Sequence, residues 1–496
     1  MPTQLDPVLD ASGVVAAVAA PALEAGSAPA AGTAAAAGVL PTDLARDLGD
    51  LYGGLPPWSM PFFWIALVVV LASGLSLIVL VVRAQIAISR TERVRGRHGA
   101  TPPGAKESAY LWVFVVPALN EAVTIADSVG RLAQVAVTHK RILVVNDGSD
   151  DGTGEILDGL RVEVPELTVL TRVAPNARQG KSEALNDAWR YLTREILAVG
   201  GYAGWDPTRV IVAVVDADGR LDPGAAAIAH HFDDERVGGV QALVRIYNRH
   251  SPLTWAQDVE FGVFGRVFQM GRKEWGTANM GGNGQFNRLS ALNDVALPDS
   301  RGNIGPWREG RLTEDQDIGL RMIRAGWRGS QSTSVTIHQQ GLNSLRPLYR
   351  QRTRWAQGGW QMLDIAPSLL RNRRIGLVAR TDQFWYLMTP LIQMYLGFTV
   401  VMSAALLASG TTKVQWSPLV LVIIYALSIL PSVISVVFAR GGFRPLGLIL
   451  SFLLAHAYVL YTWLIYPVVV HAALRQLAGR TSWAKTKREA IAAPVG

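Results

Sequence analysis

Apolar and polar positions fall into three regimes along this chain. Pro61 to Val82 is an almost unbroken apolar run of 22 residues, long enough as a helix to cross a hydrocarbon core of about 30 Å. It predicts a transmembrane helix over 58–85. From Tyr110 to about Gln340, short runs rich in Val and Ile alternate with polar turns and helical stretches. The runs are Leu111 to Val116, Ile142 to Val145, Leu167 to Leu170 and Val210 to Val215. Continuous apolar strands separated by helices predict an α/β domain over 105–345, a mostly parallel sheet with helices on both faces. Arg346 to Arg374 then interleaves arginines with Leu348, Trp355, Trp360, Met362 and Leu363. This reads as an amphipathic helix in an interface region over 346–380. About three further spans are expected within 384–474: Tyr386 to Ala408, Trp416 to Val437 and Leu446 to Val470. A basic tail occupies 475–496. Residues 1–57 are rich in Ala, Gly and Pro and are expected to be disordered. A signal peptide would need a basic start, where Asp6 and Asp10 stand instead.

The flanks of the first span orient it. Asp43, Asp47 and Asp50 precede it, and Arg83, Arg90, Arg93, Arg95 and Arg97 follow, which puts the α/β domain in the cytoplasm. Three more spans would leave the tail outside. Yet Arg475, Arg480, Lys485, Lys487 and Arg488 prefer the inside. Either one stretch is interfacial or re-entrant, or the tail breaks the rule.

Composition narrows the classes. Hydrophobic residues make up 49% and charged residues 17%, a balance that fits a water-facing domain joined to membrane spans. The net charge of +8 is concentrated beside the apolar runs, which favours a membrane surface over nucleic acid. Without cysteine there are no disulfides, thiolate metal sites or cysteine nucleophiles.

The candidate chemistry lies where the apolar runs end. In open α/β sheets ligands bind outside the carboxyl ends of strands. Pro117, Asn120 and Glu121 follow the first run, and Asn146, Asp147, Gly148 and Ser149 the second. An Asp there can accept hydrogen bonds from a base or ribose, though a turn and helix cap would look the same. Gly180-Lys181-Ser182 resembles the end of a P-loop, but Pro175 stands where that motif needs its first glycine. An ATPase is excluded, and Lys181 is left as a diphosphate contact or a surface lysine. Asp216 and Asp218, one residue apart after the fourth run, suit a hard divalent cation bridging carboxylates to phosphates. Gly281-Gly282-Asn283-Gly284-Gln285 could pack backbone against a sugar or be a flexible turn. In Thr313-Glu314-Asp315 a carboxylate could act as general base, although acidic residues also favour a helix start. Gln351 and Arg354 share a helical face. Arg354 could clamp a diphosphate and Trp355 stack on a sugar, or both could anchor at the membrane. His338 reads as structural, and Met270 and Met280 as core.

Taken in this order, from Asn146-Asp147-Gly148-Ser149 through Gly180-Lys181-Ser182 and Asp216-Ala217-Asp218 to Thr313-Glu314-Asp315 and Gln351-Arg352-Thr353-Arg354-Trp355, the set resembles a known family. It is that of the inverting family 2 membrane glycosyltransferases of the cellulose, chitin, hyaluronan and poly-N-acetylglucosamine synthase type, whose catalytic domain has the GT-A (nucleotide-diphospho-sugar transferase) fold. The resemblance spans Tyr110 to Gln361, and Q-x-x-R-W is its most specific element. It implies that Asp147 binds the nucleoside beside Pro117, Asn120 and Glu121, with Lys181 and Asp216 also on the donor. Asp216 and Asp218 would hold Mg2+ or Mn2+. Asp315 would be the base, and Glu314, Gln351, Arg354 and Trp355 would face the diphosphate and the acceptor.

The resemblance further implies a nucleotide-sugar donor, UDP-linked by preference, and transfer to a growing β-linked polysaccharide at the plasma membrane. Single-sugar transfer to a lipid is the alternative; a non-catalytic sugar-nucleotide-binding subunit is another. No regulatory domain is expected after the last span. The loop at Gly281–Gln285 differs from the acceptor pockets of those synthases, and the few spans suggest an accessory export subunit.

Overall fold

The computed structural model describes residues 54–98, 106–412, 418–440 and 444–480. Most of the expected disordered N-terminus and residues 481–496 of the basic tail lie outside the described residues.

The four apolar runs form the first four strands: β1 Leu111–Ala118, β2 His139–Asn146, β3 Leu167–Thr171 and β4 Val210–Val214. They continue with β5 Arg220–Leu221, β6 Val237–Ile246, β7 Gln285–Arg288, β8 Leu297–Pro298, β9 Ile304–Gly305 and β10 Arg328–Gln339. One sheet has the order β3-β2-β1-β4-β7-β6-β10-β5, and β8 pairs with β9. β3, β2, β1 and β4 are mutually parallel, as are β6 and β10. β7 runs antiparallel between β4 and β6, and β5 antiparallel at the edge.

Alternation along β1 explains why its run reads as continuously apolar. Trp112, Phe114 and Val116 enter the core on one face with Ile142 and Val144. Leu111, Val113 and Val115 enter the other with Leu143, Val145 and Leu185. Both faces are covered by helices, so neither side can be polar. Each fully buried large apolar side chain contributes about 1.5–3 kcal/mol. That burial holds the carboxyl ends of β1, β2 and β4 at fixed positions.

Among the described residues four helical stretches are long and apolar enough to cross a membrane: Met60–Arg93, Thr389–Ala408, Leu421–Arg440 and Pro445–Leu477. Two apolar stretches are broken where the sequence reading runs them on. Met388 separates helix Leu377–Leu387 from Thr389–Ala408. Residues 463–464 separate Pro445–Thr462 from Ile465–Leu477. The second break lies four residues before Pro467, whose ring cannot pack against the preceding turn of a helix. The basic segment is likewise not one helix. It is helix Leu345–Gln361, a turn at Met362–Asp364 and helix Ala366–Leu370.

Ile465–Leu477 packs along Leu345–Gln361. The Tyr349 hydroxyl donates to Pro467 O (3.2 Å) and Trp360 Nε1 to Val469 O (3.2 Å). Gln357 Nε2 donates to Arg480 O (2.8 Å). The end of the described chain therefore sits against the Q-x-x-R-W helix.

Candidate functional site

The carboxyl ends of β1, β2 and β4 open onto one cavity of 450 Å3, a size typical of small-molecule sites. Pro117, Glu121, Asp147, Lys181, Asp216, Asp218, Glu314, Asp315, Gln351, Arg354 and Trp355 all line it. Residues up to 238 positions apart in the chain thus meet in a single cleft, from Pro117 to Trp355. Asn120 is not in the lining. It adopts φ 55°, donates through Nδ2 to Asp150 Oδ1 (2.7 Å) and through its N–H to Ser149 Oγ (2.9 Å). The loop after β1 is thereby tied to the loop after β2.

Asp147 is buried. Its Oδ1 accepts from the Arg172 guanidinium and from the Arg178 N–H (2.9 Å), and Arg172 also binds Asp187 (2.6 Å). After β4, the Asp216 N–H donates to Asn283 Oδ1 (3.0 Å), and Asp218 Oδ2 accepts from the Gln340 N–H (3.1 Å). Asn283 Nδ2 in turn donates to Gln339 Oε1 (3.0 Å). The glycine-rich loop is held by hydrogen bonds to the core. Gln241 donates to Asn283 O (2.7 Å) and accepts from the Gly281 N–H (2.8 Å). Gly281, Gly282 and Asn283 reach the cavity, whereas Gln285 begins β7 and bonds Asn287 (2.8 Å) inside the core.

Lys181 opens helix Lys181–Tyr191 and links two acidic motifs. Its Nζ lies 2.7 Å from Asp216 Oδ1 and 3.1 Å from Glu314 Oε1. Burial alone would lower its pKa, but Asp216 and Glu314 outweigh burial and hold it above the ordinary lysine value.

Glu314 and Asp315 form the first turn of helix Glu314–Ala325, which ends at Gly326 in the left-handed region (φ 108°). They begin a helix and also face the cavity. Burial, then the neighbouring Glu314 charge, push the Asp315 carboxyl up to about 7, against the pull of Lys181 and the Gln316 N–H. Two glycines allow the close approach. A Cβ on Gly282 would sit 2.9 Å from Asp315 Oδ2, and one on Gly358 would overlap the side chain of Thr313.

A mostly apolar part of the lining comes from segments that carry no acidic or basic motif. Phe261 and Phe264, Met280, and Tyr386, Leu387, Thr389 and Pro390 form it. Gln316 Nε2 donates to the Tyr386 hydroxyl (3.2 Å). Asp382 pairs with Arg272 (2.7 Å), which fixes helix Leu377–Leu387 to the α/β domain. Glu260 also lines the cavity and binds Arg352 Nη2 (2.6 Å). Nothing local marks Glu260, Phe261 or Tyr386 in the sequence. The only available sign is a carboxylate and aromatics in otherwise apolar helices.

Among the described residues no group of three His, Cys, Asp or Glu side chains is placed to hold a metal ion alone. Asp216 and Asp218 still fit Mg2+ or Mn2+, because such ions commonly take one or two carboxylates and leave the remaining positions to substrate phosphates and water.

Residues 112–358 match the family described as Glycosyltransferase like family 2. The chain is 27% identical over 398 residues to the beta-monoglucosyldiacylglycerol synthase of Trichormus variabilis, covering 75% of each chain. It is 26% identical over 253 residues to the poly-beta-1,6-N-acetyl-D-glucosamine synthase of Staphylococcus aureus, covering 50% of this chain and 55% of that one. Its fold is that of the mannosyltransferase PcManGT from Pyrobaculum calidifontis, solved with GDP-Man and Mn2+. That comparison has a TM-score of 0.52 at 17% identity and covers 84% of this chain and 99% of the other. The molecule is therefore a glycosyltransferase with a family 2 domain of GT-A fold, joined to several helices apolar enough to cross a membrane.

Proposed function

We propose that this enzyme transfers a single sugar from a nucleotide-diphosphate sugar to a hydroxyl of a lipid acceptor, with inversion, at the cytoplasmic face of the plasma membrane. The observation that carries the acceptor is the mostly apolar part of the cavity lining. It runs from Tyr386 to Pro390 directly into helix Thr389–Ala408, so a cavity that opens on carboxylates ends on apolar surface beside a candidate span. The relative matched over three quarters of both chains is named for a glucosylated diacylglycerol. The arginines after the first span support the cytoplasmic placing. The contact of Arg480 with the Q-x-x-R-W helix keeps the end of the described chain beside the same domain, which argues that one of the apolar stretches after the domain is interfacial or re-entrant.

In this reading Asp147 holds the nucleoside, with Pro117 and Glu121 beside it and Asn120 bracing their loop. Asp315 takes the proton from the acceptor hydroxyl as that oxygen attacks the anomeric carbon. A divalent cation at Asp216 and Asp218 would supply charge against the departing diphosphate. Lys181 and Arg354 add fixed positive charge, and Glu314 holds Lys181 in place. Gln351 and Trp355 border the acceptor. One displacement inverts the configuration, so an α-linked donor, UDP-linked by preference, gives a β-glycoside.

The second reading is polymer synthesis, with an accessory export subunit. Trp355 on the cavity wall favours it, since a sugar ring can stack there, and the Staphylococcus aureus relative is named for a polymer. Membranes containing the protein, incubated with labelled UDP- and GDP-sugars and then extracted with organic solvent, separate the two. A discrete β-linked glycolipid is expected. Label confined to a long, size-heterogeneous polysaccharide would replace the lipid reading with the polymer one.

A further inference from the structure

Beside Trp355 lies a part-buried polar cluster, centred on the buried Arg352, that the reaction as described leaves unused. Glu260 comes from helix Pro252–Val263, which Ser251 starts with a capping box to Thr254. Arg352 comes from the Q-x-x-R-W helix and Tyr461 from helix Pro445–Thr462, part of a candidate membrane span. The Arg352 Nη2 donates to Glu260 Oε2 (2.6 Å) and to the Tyr461 hydroxyl (3.1 Å), and the Tyr461 hydroxyl donates to the same Glu260 oxygen. The other arm of the guanidinium, Nη1, holds Gln351 Oε1 (2.7 Å). The guanidinium carbon sits 4.2 Å from the centre of the Trp355 ring, and Phe261 meets the same ring edge-on at 6.0 Å. One buried cation thus fixes the Gln351 amide and backs the Trp355 ring, the geometry of a cation–π contact. Its own position is set by a carboxylate and by a hydroxyl carried on a membrane helix.

We infer that Glu260, Arg352 and Tyr461 are positioning residues for the acceptor, which set the plane of Trp355 and tie it to the membrane span that carries Tyr461. This rests on the reading that Trp355 borders the acceptor. The cluster bonds to Gln351 and among its own three members, whereas Asp147 is held by Arg172 and Arg178, so a defect here raises the acceptor KM and leaves donor handling alone.

The test uses the full-length protein in membranes, with UDP- or GDP-sugar as the labelled donor and dioleoylglycerol in mixed micelles or the endogenous acceptor. The variants are Tyr461→Phe, Glu260→Gln, Trp355→Ala and the double variant Tyr461→Phe with Trp355→Ala. Losing one hydrogen bond to a charged group is expected to raise the acceptor KM about tenfold. In Tyr461→Phe the donor KM and the slow hydrolysis of donor by water should stay at wild-type values, which a general loss of folding would not allow. If Tyr461 acts through Trp355, the double variant is no worse than Trp355→Ala. Additive losses, or equal rises in donor and acceptor KM, overturn the proposal while leaving the acceptor reading intact. A Trp355→Ala enzyme with unchanged acceptor KM would instead overturn the acceptor reading itself.

Discussion

The two walls of the cavity are built on different principles. The wall proposed to hold the donor is polar and hangs from the carboxyl ends of β1, β2 and β4, where buried strands fix the backbone and each carboxylate has a named partner: Arg172 for Asp147, Lys181 for Asp216 and the Gln340 N–H for Asp218. The wall proposed to face the acceptor carries more apolar side chains and is assembled from helix Pro252–Val263, the Q-x-x-R-W helix and the segment entering helix Thr389–Ala408. Rigid strands suit a ligand recognised by charge at fixed distances. A wall of helices, one of them continuous with a candidate span, suits a partner that arrives from the membrane.

That contrast breaks first at Asp315, which lies between the walls. Asp315→Asn is expected to lower kcat by about 10⁴-fold, near the upper limit for loss of a general base, while isothermal titration still detects donor binding. Because its pKa is raised to about 7, wild-type kcat/KM should fall as pH drops through about 7, when the base becomes protonated. Glu314→Gln removes the like charge that helps raise it, so the acid limb should move to lower pH. A pH-independent rate in the wild type would remove Asp315 from the role of base.

Asp218→Asn attacks the donor wall alone. A loss of about 10²–10³-fold is expected if a cation there contributes a few kcal/mol. Chelation of divalent ions should reproduce it in the wild type and add little in the variant. Trp355→Ala attacks the acceptor wall alone, with an expected tenfold or so rise in acceptor KM and an unchanged donor KM. The mildest effect should come from Asn120→Ala, which loosens the brace between two donor loops. Losing neutral or half-exposed hydrogen bonds should raise the donor KM about threefold to tenfold and leave the acceptor KM unaffected. A reversed pattern in these last two variants would exchange the walls.

The walls also differ in how far the sequence reveals them. The strands of the donor side were readable because both faces of the sheet are covered, so Leu111 to Val116 and Val210 to Val215 are apolar without interruption. The carboxylates stand out immediately after those runs. Asn120 was readable as part of the loop but not as a brace, since its role depends on a left-handed backbone and on the distance to Asp150. On the acceptor side only Glu314, Gln351, Arg354 and Trp355 were readable. Phe261, Tyr386 and Pro390 are ordinary residues of apolar segments until tertiary packing turns them toward the cavity. Glu260 and Tyr461 meet across 201 positions of chain, a separation no periodicity encodes. The breaks at Met388 and at residues 463–464 were hidden because hydropathy averages over a proline that geometry cannot ignore.

Gly358 gives the site a manufacturing tolerance. Helix Leu345–Gln361 touches the chain at Thr313 with no room for one methyl group, and Thr313 immediately precedes Glu314 and Asp315. The smallest side chain at that point would have to lever the arm carrying Trp355 away from the carboxylates. The Q-x-x-R-W helix and the Glu314–Asp315 turn are therefore gauged against each other by a hydrogen atom's width, through the contact of Gly358 with Thr313.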